Sequence, residues 1–384
     1  MRQESEEVTM RIGLNLLHAR PDIGGGWNYI ANIVSTLKLL EEDCEFLAYC
    51  TNASAEIVPD DTRFKVRIIH LGGSSQIARI AYEQCVLPFL AYWDRVDCMH
   101  WFAGNRSMIG LVPSVVTMYD FKFIDRPSEV SFFKWLYLRE MSRFSSRWAD
   151  ALTPMSETTA KAAIRLFGVD RKRVFVVPNP IEGTFSRASN ATIKEFLERF
   201  KLPSQFWLYV AHPYPHKNHS RLFSAYKKFI ENRQGAWPLV LRGDRSKDNG
   251  MLDRLTREMG IDESIIWLPR LSDKDMATLY SAATAMIFTS LYEGCGIPLL
   301  EAMTCGCPMI ASDIPTTQEF AGEAALTFDP IKVDEISGAM RRFFEDPQLR
   351  ASYAAKGIIK AELYTFRNVA ARLLTAYRSV VSEK

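Results

Sequence analysis

The sequence predicts an α/β protein with two doubly wound domains, each built on a parallel sheet. Three observations indicate this fold. The chain has 384 residues, enough for two domains, since a typical domain has about 150 residues. Short apolar runs alternate with amphipathic helical stretches, the order typical of parallel sheets covered by helices. Residues 284–312 also form a complete unit of strand, glycine turn, helix and strand.

The composition is that of a soluble globular protein. Hydrophobic residues make up 47% of the chain, charged residues 24%, and the formal net charge is +2, so nucleic acid is not an expected partner. The seven cysteines lack C-x-x-C spacing, and Cys305 and Cys307 lie too close together for a zinc site. We therefore expect a reduced, cytoplasmic protein.

The N-terminal segment has no apolar stretch typical of a signal peptide. Residues 1–9 are polar and acidic, and we expect them to be a disordered tail. No apolar run reaches the roughly 18 residues that a membrane-spanning helix needs. Any membrane contact is therefore expected to be peripheral.

The unit at 284–312 contains a turn suited to an anion. Ala285–Phe288 reads as a buried strand, Gly294 and Gly296 bracket Cys295, and Pro298 stands where the first helical residue is expected. A short helix, a C-cap glycine and a second strand follow at Leu299–Thr304, Gly306 and Cys307–Ala311. Backbone N–H groups and the positive end of the helix dipole then face one spot, which suits an anion.

Two carboxylates, Glu293 and Glu301, flank that spot. They cannot share the anion, so we expect them to accept hydrogen bonds from neutral hydroxyls. A diphosphate with hydroxyl-rich groups at both ends, as in a nucleotide sugar, fits this arrangement. The alternative is an ordinary βαβ unit with two incidental carboxylates.

The segment EGCGIPLLEAM, with its two glutamates separated by seven residues, resembles the signature of retaining glycosyltransferases of the GT-B fold, family 4. The resemblance extends from Met10 to the final helix. It implies two Rossmann-like domains facing across a cleft, with a last helix centred on Phe366–Val380 that crosses back to the first domain. It also implies that Glu293 reads sugar hydroxyls and Glu301 holds the ribose. The loop amides of Gly294, Cys295, Gly296 and Ile297 would contact sugar and phosphate.

The predicted organisation places an acceptor-side domain at 10–185 and a nucleotide-sugar-binding domain at 186–364. Residues 365–384 form the helix that packs back on the first domain. Pro178 and Pro180 break regular structure, so the linker is expected around residues 178–190.

The first domain begins with a strand and a glycine loop. The predicted strands are Met10–Leu16, Glu45–Cys50, Lys65–His70, Val96–Trp101 and Ser114–Met118. Gly24, Gly25 and Gly26 form a loop that leads into a helix with an apolar face at Ile30, Ile33, Val34 and Leu37. A triple glycine is weak evidence by itself; the resemblance implies that Gly25 and Gly26 face the diphosphate and acceptor.

Tyr119 and Asp120 follow the strand Ser114–Met118. Family members often have His-Asp here, with the histidine near the sugar's primary hydroxyl. The resemblance therefore implies a catalytic-site role for Asp120, while Tyr119 departs from the pattern and has a different reach. The alternative for Asp120 is an N-cap or turn residue.

Two helical stretches of this domain supply large apolar side chains. Residues 127–148 read as one long helix opened by Pro127, with basic residues at Arg139, Arg143 and Arg147. This composition fits a helix at a membrane interface or near a lipid-linked acceptor. It equally fits a core helix with a solvated basic face. A helix at Gln76–Trp93 would contribute to the same surface. Further along, Ser156 is a predicted N-cap.

The second domain begins with a helix at Ala191–Phe200 and a strand at Phe206–Ala211. The loop that follows resembles the family's Lys-Asn loop, which implies that Lys217 binds the diphosphate. His212 stands where many members have arginine, and histidine is charged only part of the time near neutral pH. One alternative is a solvated loop. Another, metal binding by the loop histidines, is disfavoured because no carboxylate or thiolate lies nearby in sequence.

Two further strands end near the expected nucleotide. Strand Pro238–Arg242 leads into Gly243, which we expect beside the nucleotide, and strand Ile265–Leu268 leads to Arg270. The resemblance implies a base contact at Arg270. The next helix is expected to be capped by Ser272 or Asp273.

Together with these patterns, the resemblance implies a retaining hexosyltransferase that moves a sugar from a nucleoside diphosphate donor to the hydroxyl of a glycan or lipid-linked acceptor. Glu293, Asp120 and Lys217 are the expected catalytic residues. No Asp-x-Asp motif is visible, and we expect no cofactor and no required metal. The resemblance to surface-polysaccharide enzymes favours GDP-mannose and a location in the cytoplasm or at the inner face of the plasma membrane. The alternatives are a GT-B epimerase or phosphorylase and a non-catalytic nucleotide-sugar binder.

Overall fold

The computed structural model describes most of the chain and divides it into two compact units. The described residues are 10–20, 25–40, 44–71, 76–125, 127, 130–181, 183, 185–231, 235–244 and 248–382. Unit 1 comprises Met1–Pro180 and Thr365–Lys384, and unit 2 comprises Ile181–Tyr364. The tail at 1–9 and Gly24 of the glycine loop lie outside the described residues.

Unit 1 is built on a six-stranded parallel sheet with the strand order β3-β2-β1-β4-β5-β6. The strands are β1 (Met10–Asn15), β2 (Cys44–Cys50), β3 (Phe64–Ile68), β4 (Cys98–Trp101), β5 (Ser114–Met118) and β6 (Ala151–Pro154). The helices are α1 (Gly25–Thr36), α2 (Asn52–Ala55), α3 (Gln76–Cys85), α4 (Leu87–Trp93), α5 (Lys122–Asp125), α6 (Phe132–Trp148) and α7 (Glu157–Phe167), together with the last helix of the chain, α16 (Phe366–Val381).

The last helix belongs to unit 1. Val369, Leu373 and Tyr377 on α16 are fully buried. The Tyr377 hydroxyl lies 2.8 Å from Nδ1 of His100 on β4, while Nε2 of that ring lies 2.8 Å from the Thr117 hydroxyl on β5. Burial lowers the pKa of His100 to about 3, so the ring is neutral and its two partners fix its position.

Unit 2 repeats the same plan with the strand order β12-β11-β10-β7-β8-β9. The strands are β7 (Trp207–Val210), β8 (Leu239–Arg242), β9 (Ile265–Leu268), β10 (Ala285–Phe288), β11 (Met309–Ser312) and β12 (Ala325–Phe328). The helices are α8 (Asn190–Phe200), α9 (His219–Ile230), α10 (Met251–Glu258), α11 (Asp273–Ala282), α12 (Ile297–Thr304), α13 (Pro315–Phe320), α14 (Val333–Glu345) and α15 (Pro347–Ala361).

Each unit therefore has one point where the strand order reverses direction, and ligands of doubly wound sheets bind beyond the carboxyl ends of the strands at that point. In unit 2 the reversal lies between β7 and β10. In unit 1 it lies between β1 and β4. The fold predicted from the sequence is confirmed at this level: two parallel sheets, each covered by helices.

Several local predictions are also confirmed. The predicted apolar face is fully buried at Ile30, Ile33 and Val34 of α1 and at Leu37 in the 3₁₀ turn that follows the helix. The predicted caps form: the Ser156 hydroxyl accepts a hydrogen bond from the N–H of Thr159 at 3.0 Å, and the Ser272 hydroxyl accepts one from Asp275 at 3.1 Å. Gly306 follows α12 in the left-handed conformation with φ of 69°.

Three predicted helices are wrong in detail. The stretch Gln76–Trp93 is two helices, α3 and α4. Pro88 has no N–H with which to continue the hydrogen bonds of α3, and it lies instead in the first turn of α4. The helix predicted from Pro127 begins only at Phe132: Ser131 has an extended backbone, which ends any helix before it. Pro298 is the second residue of α12, not the first.

Candidate nucleotide-sugar site

Lys217 and Glu293 meet at the reversal point of unit 2. Lys217 follows β7 and Glu293 follows β10, the two neighbouring strands at that point. The Lys217 ammonium donates to Oε1 of Glu293 in an ion pair whose side chains are only 14% and 11% exposed. The two residues that the sequence separates by 76 positions are thus brought into contact where a doubly wound sheet binds its ligand.

The backbone of the lysine loop is fixed by buried hydroxyls. The carbonyl of Lys217 accepts hydrogen bonds from the Tyr209 hydroxyl and from the Thr289 hydroxyl, the latter at 3.1 Å. The N–H of Leu291 donates to the carbonyl of His216 at 2.7 Å, which ties the loop after β10 to the loop after β7. The ammonium is therefore held by two strand ends and does not sit on a solvated loop.

The glycine turn leads from Glu293 into α12, whose N-cap is Gly296. Gly296 has φ of +66°, a left-handed conformation that costs a residue with a side chain about 1 kcal/mol or more. The Thr316 hydroxyl donates to the Glu293 carbonyl at 2.7 Å and fixes the start of the turn. Because the first N–H groups of a helix have no partner within it, the head of α12 offers donors and the positive end of a dipole.

Glu301 lies in the second turn of α12 and is 8% exposed. Its Oε2 accepts a hydrogen bond of 2.7 Å from the Tyr280 hydroxyl of α11. Burial raises the pKa of Glu301 to about 7, and the charge of Asp273 also raises it, while the Tyr280 hydrogen bond and the charge of Arg242 lower it. This carboxyl is therefore divided between its two protonation states near neutral pH.

The end of β8 approaches the loop after β7 closely. A Cβ on Gly243 would lie 1.9 Å from the carbonyl oxygen of Ala211, so only glycine fits there. The N–H of Asp244 donates to Nδ1 of His212 at 3.0 Å. This hydrogen bond connects the loop after β8 to the loop after β7.

The remaining predicted donor contact, Arg270, is exposed and lies two residues beyond β9, the edge strand of the sheet. The predicted residues of the second domain therefore form two groups. Lys217, Glu293 and Glu301 follow or flank the central strands, while Arg270 lies beyond the edge strand. Sequence reasoning missed Tyr280, Thr316 and Arg242. The Nε of Arg242 is buried and has no hydrogen-bond partner within the part of the chain that the structure describes.

The predicted residues of the first domain lie in unit 1. Asp120 follows β5, and its Oδ1 accepts a hydrogen bond from the N–H of Lys122 at 3.0 Å, the geometry of a turn residue. Gly25 and Gly26 are the first two residues of α1, so they open the helix where a loop was predicted. The Tyr119 hydroxyl is buried and has no partner among the described residues, and its ring packs edge-on against Tyr29.

Within the described ranges, no group of three or more His, Cys, Asp or Glu side chains is placed to hold a metal ion. In the same ranges, no helix is long and apolar enough to span a bilayer. The seven cysteines all lie in the described ranges, and no disulfide forms among them.

Comparison with known proteins agrees with the fold and the motif. The family model described as glycosyl transferases group 1 matches residues 192–359, and the glycosyl transferase 4-like domain model matches residues 24–180. Among curated proteins, the O-antigen chain mannosyltransferase B of Escherichia coli is 27% identical over 266 residues, which are 69% of this chain and 70% of that one. The serotype-specific mannosyltransferase WbdA of Escherichia coli is 27% identical over 242 residues, 62% of this chain but only 29% of that protein.

A solved structure supports the fold along the whole chain. The structure of HepE from Anabaena in complex with UDP and glucose superposes with a TM-score of 0.75 at 17% identity, covering 95% of this chain and 98% of that one. At this identity the likeness shows the fold alone. The two family matches between them cover both halves of the sequence, and the protein belongs to the GT-B glycosyltransferases of group 1, family 4.

Proposed function

We propose that this protein transfers a sugar from a nucleoside diphosphate donor to an acceptor hydroxyl with retention at the anomeric carbon. The observation that carries the proposal is the Lys217 and Glu293 ion pair beside the head of α12, with Glu301 buried one turn further along that helix. GDP-mannose is the proposed donor, which draws support from the names of the two mannosyltransferases reported above.

Each residue has a separate role in this proposal. Lys217 and the N–H groups at the head of α12 bind the diphosphate and stabilise its growing charge as it leaves. Because an ammonium has three donors, Lys217 can hold Glu293 and a phosphate oxygen together. Glu293, placed by Lys217, accepts hydrogen bonds from the sugar, and Glu301 in its ionised form accepts them from the ribose. Asp120 is proposed to act on the sugar or acceptor, and Arg270 on the base.

We also propose that transfer needs no metal ion, since a lysine and a helix dipole already supply positive charge where the diphosphate would bind. The test is acceptor-dependent release of nucleoside diphosphate with and without a chelator. Activity that disappears with EDTA and returns with a divalent cation would remove this part of the proposal.

The acceptor is proposed to be a glycan of surface-polysaccharide assembly, carried on a lipid at the inner face of the plasma membrane. Support comes from α6, where Phe132 and Phe133 are 66% and 82% exposed and Arg139, Arg143 and Arg147 are also exposed. Aromatic side chains beside basic ones are typical of helices that bind membrane interfaces.

The reaction itself is tested by product analysis. The protein is incubated with GDP-mannose, and in parallel with UDP-glucose, together with a mannoside acceptor, and the anomeric configuration of the product is read by NMR. We expect an α-linked product from the α-configured donor. A β-linked product would overturn retention. Binding of the nucleotide sugar without turnover across an acceptor panel would favour a non-catalytic binder. Conversion of the nucleotide sugar to an epimer, with no net release of nucleoside diphosphate, would favour an epimerase.

A further inference from the structure

Arg242 lies at the edge of unit 2 where a doubly wound sheet binds its ligand. It is the last residue of β8, between Val210 of β7 and Leu268 of β9 in the register of the sheet. Its carbonyl accepts a hydrogen bond of 2.9 Å from the N–H of Ala211. The backbone of this residue is therefore fixed by strands on both sides.

The side chain of Arg242 lies on the face of the sheet where α11 and α12 meet. Alternate residues of a strand lie on opposite faces. Leu239 and Leu241 belong to the core cluster that packs against α9 and α14, so Arg242 lies on the other face. The pKa of Glu301 on α12 is raised by burial, and the charge of Arg242 opposes this shift. The guanidinium is thus close enough to Glu301 to act on it.

No hydrogen bond within the described residues explains the position of the Arg242 Nε atom, which is buried and unpartnered. A buried donor without a partner costs free energy, and proteins keep such costs chiefly at functional sites. The guanidinium also carries two terminal nitrogens whose N–H groups form a planar fork. Arg242 therefore offers a permanently charged pair of donors beside Glu301.

The order of the strands indicates which part of a bound nucleotide lies near this fork. Lys217, the proposed diphosphate ligand, follows β7, and the Glu301 carboxyl contacts Tyr280 of α11. Neighbouring strands are about 4.8 Å apart. A nucleotide with its diphosphate at Lys217 and its ribose at Glu301 therefore extends its base over the ends of β8 and β9, and Arg242 is the end of β8.

We propose that Arg242 recognises the base of the donor and selects guanine. Guanine has two acceptors, O6 and N7, on one edge, and an arginine fork matches this pair with two hydrogen bonds. On the corresponding edge adenine has an acceptor beside a donor, and uracil has a single acceptor. The inference rests on the proposed nucleotide-sugar site and deepens it, because it names a residue that determines which nucleotide this site accepts.

The experiment measures binding of GDP, UDP, ADP and 7-deaza-GDP to the full chain by calorimetry at pH 8. The 7-deaza base keeps O6 but lacks the N7 acceptor. The variant Arg242→Met keeps the length of the side chain and removes every donor. Loss of the charge near Glu301 changes the affinity for all nucleotides alike, so the readout is the ratio of affinities between nucleotides. The matched control is Arg341→Met, at an exposed position on α14.

We expect the parent to bind GDP roughly tenfold to a hundredfold more tightly than UDP or ADP, the discrimination of one bidentate arginine–guanine contact. The affinity for 7-deaza-GDP should lie between those for GDP and UDP. In Arg242→Met these differences should disappear, while UDP still binds and shows that the variant is folded. Arg341→Met should keep the ratios of the parent.

Three results would overturn the proposal and leave the nucleotide-sugar site standing. The parent could bind GDP no better than UDP, or it could bind GDP and 7-deaza-GDP alike. Arg242→Met could also weaken all nucleotides by one factor, which is the result for a contact to phosphate or ribose. If the parent bound none of the nucleotides, the proposed function would fail together with this inference.

Discussion

Glu301 makes the free energy of unfolding, and the expected binding of nucleotide, depend on pH. Its pKa is raised from the ordinary 4.5 to about 7, so between these values the folded protein holds a proton that the unfolded chain releases. The free energy of unfolding therefore falls as pH rises through this window, and above pH 7 the buried charge costs roughly 3 kcal/mol at 1.36 kcal/mol per unit. An ionised Glu301 is, in contrast, the better acceptor for two ribose hydroxyls.

The prediction for Glu301→Gln has two parts. Without ligand, urea unfolding at pH 5.5 and pH 8 should show that the variant gains stability relative to the parent at the higher pH, because it buries no charge. Nucleoside diphosphate binding by the parent should strengthen as pH rises through about 7, and the variant should lose this dependence. Tyr280→Phe, which removes a hydrogen bond that lowers the Glu301 pKa, should move the transition of the binding curve to higher pH. An unchanged curve in both variants would contradict the assignment.

Gly243, which directly follows β8, is required at its position for steric reasons alone. Gly243→Ala would place a Cβ 1.9 Å from a backbone oxygen that cannot rotate away, so the chain must shift. We expect a loss of about 1–3 kcal/mol in the free energy of unfolding and weaker nucleotide binding. The matched control is Gly338→Ala in α14, where a Cβ meets nothing within 4 Å. That change should stabilise the protein by roughly 0.5–1 kcal/mol, since alanine is the better helix former. Equal effects of the two changes would refute the steric argument.

At the scale of the element, α6 differs from the prediction in length but keeps its chemistry. The helix exposes Phe132 and Phe133 at its start and Trp148, at 60%, at its end. Three exposed arginines lie between them. The buried positions of this helix are serines, which let it pack closely and leave the large apolar side chains on its outer surface.

We predict that α6 binds anionic lipid surfaces. Changing Arg139, Arg143 and Arg147 to Glu should weaken flotation with phosphatidylserine-containing liposomes, and added salt should weaken flotation of the parent, because each cation near such a surface contributes about 1 kcal/mol. The control changes Arg341, Arg342 and Lys356 to Glu, three exposed cations of unit 2. If variant and control float alike, the membrane proposal is lost.

Element boundaries show where sequence patterns stop being informative. The strands β5, β9 and β10 were predicted to the residue, because short apolar runs between turn signals leave little choice. The break before Pro88 was missed although that proline is itself a sequence signal for it. The late start of α6 was missed because Pro127 also suits a helix start, and only the extended backbone of Ser131 excludes it. The resemblance implied that Lys217 and Glu293 both bind the donor, but it did not predict their ion pair. The partner of Glu301, Tyr280, carries no local signal in the sequence.

For the whole molecule, α16 links the end of the chain to the first sheet. Leu373→Ala should speed amide hydrogen exchange in β4 and β5, because it opens a space in a fully buried face and costs about 2–5 kcal/mol. The control, Leu279→Ala in α11, is equally buried but lies in unit 2, so its effect should stay in that unit's strands. Faster exchange in unit 2 from the Leu373 change would contradict the assignment of α16.

We propose that Lys217, Glu293 and Glu301 bind and activate a nucleoside diphosphate sugar. The variant Glu293→Gln tests this proposal because it can separate the rate of transfer from nucleotide binding. Single-turnover transfer from GDP-mannose is measured at saturating donor, with GDP affinity determined on the same protein. We expect the rate to fall by on the order of a hundredfold while GDP binds as in the parent, because the hydrogen bonds of Glu293 to the sugar are strongest as the glycosidic bond breaks. Full turnover by Glu293→Gln would contradict the account.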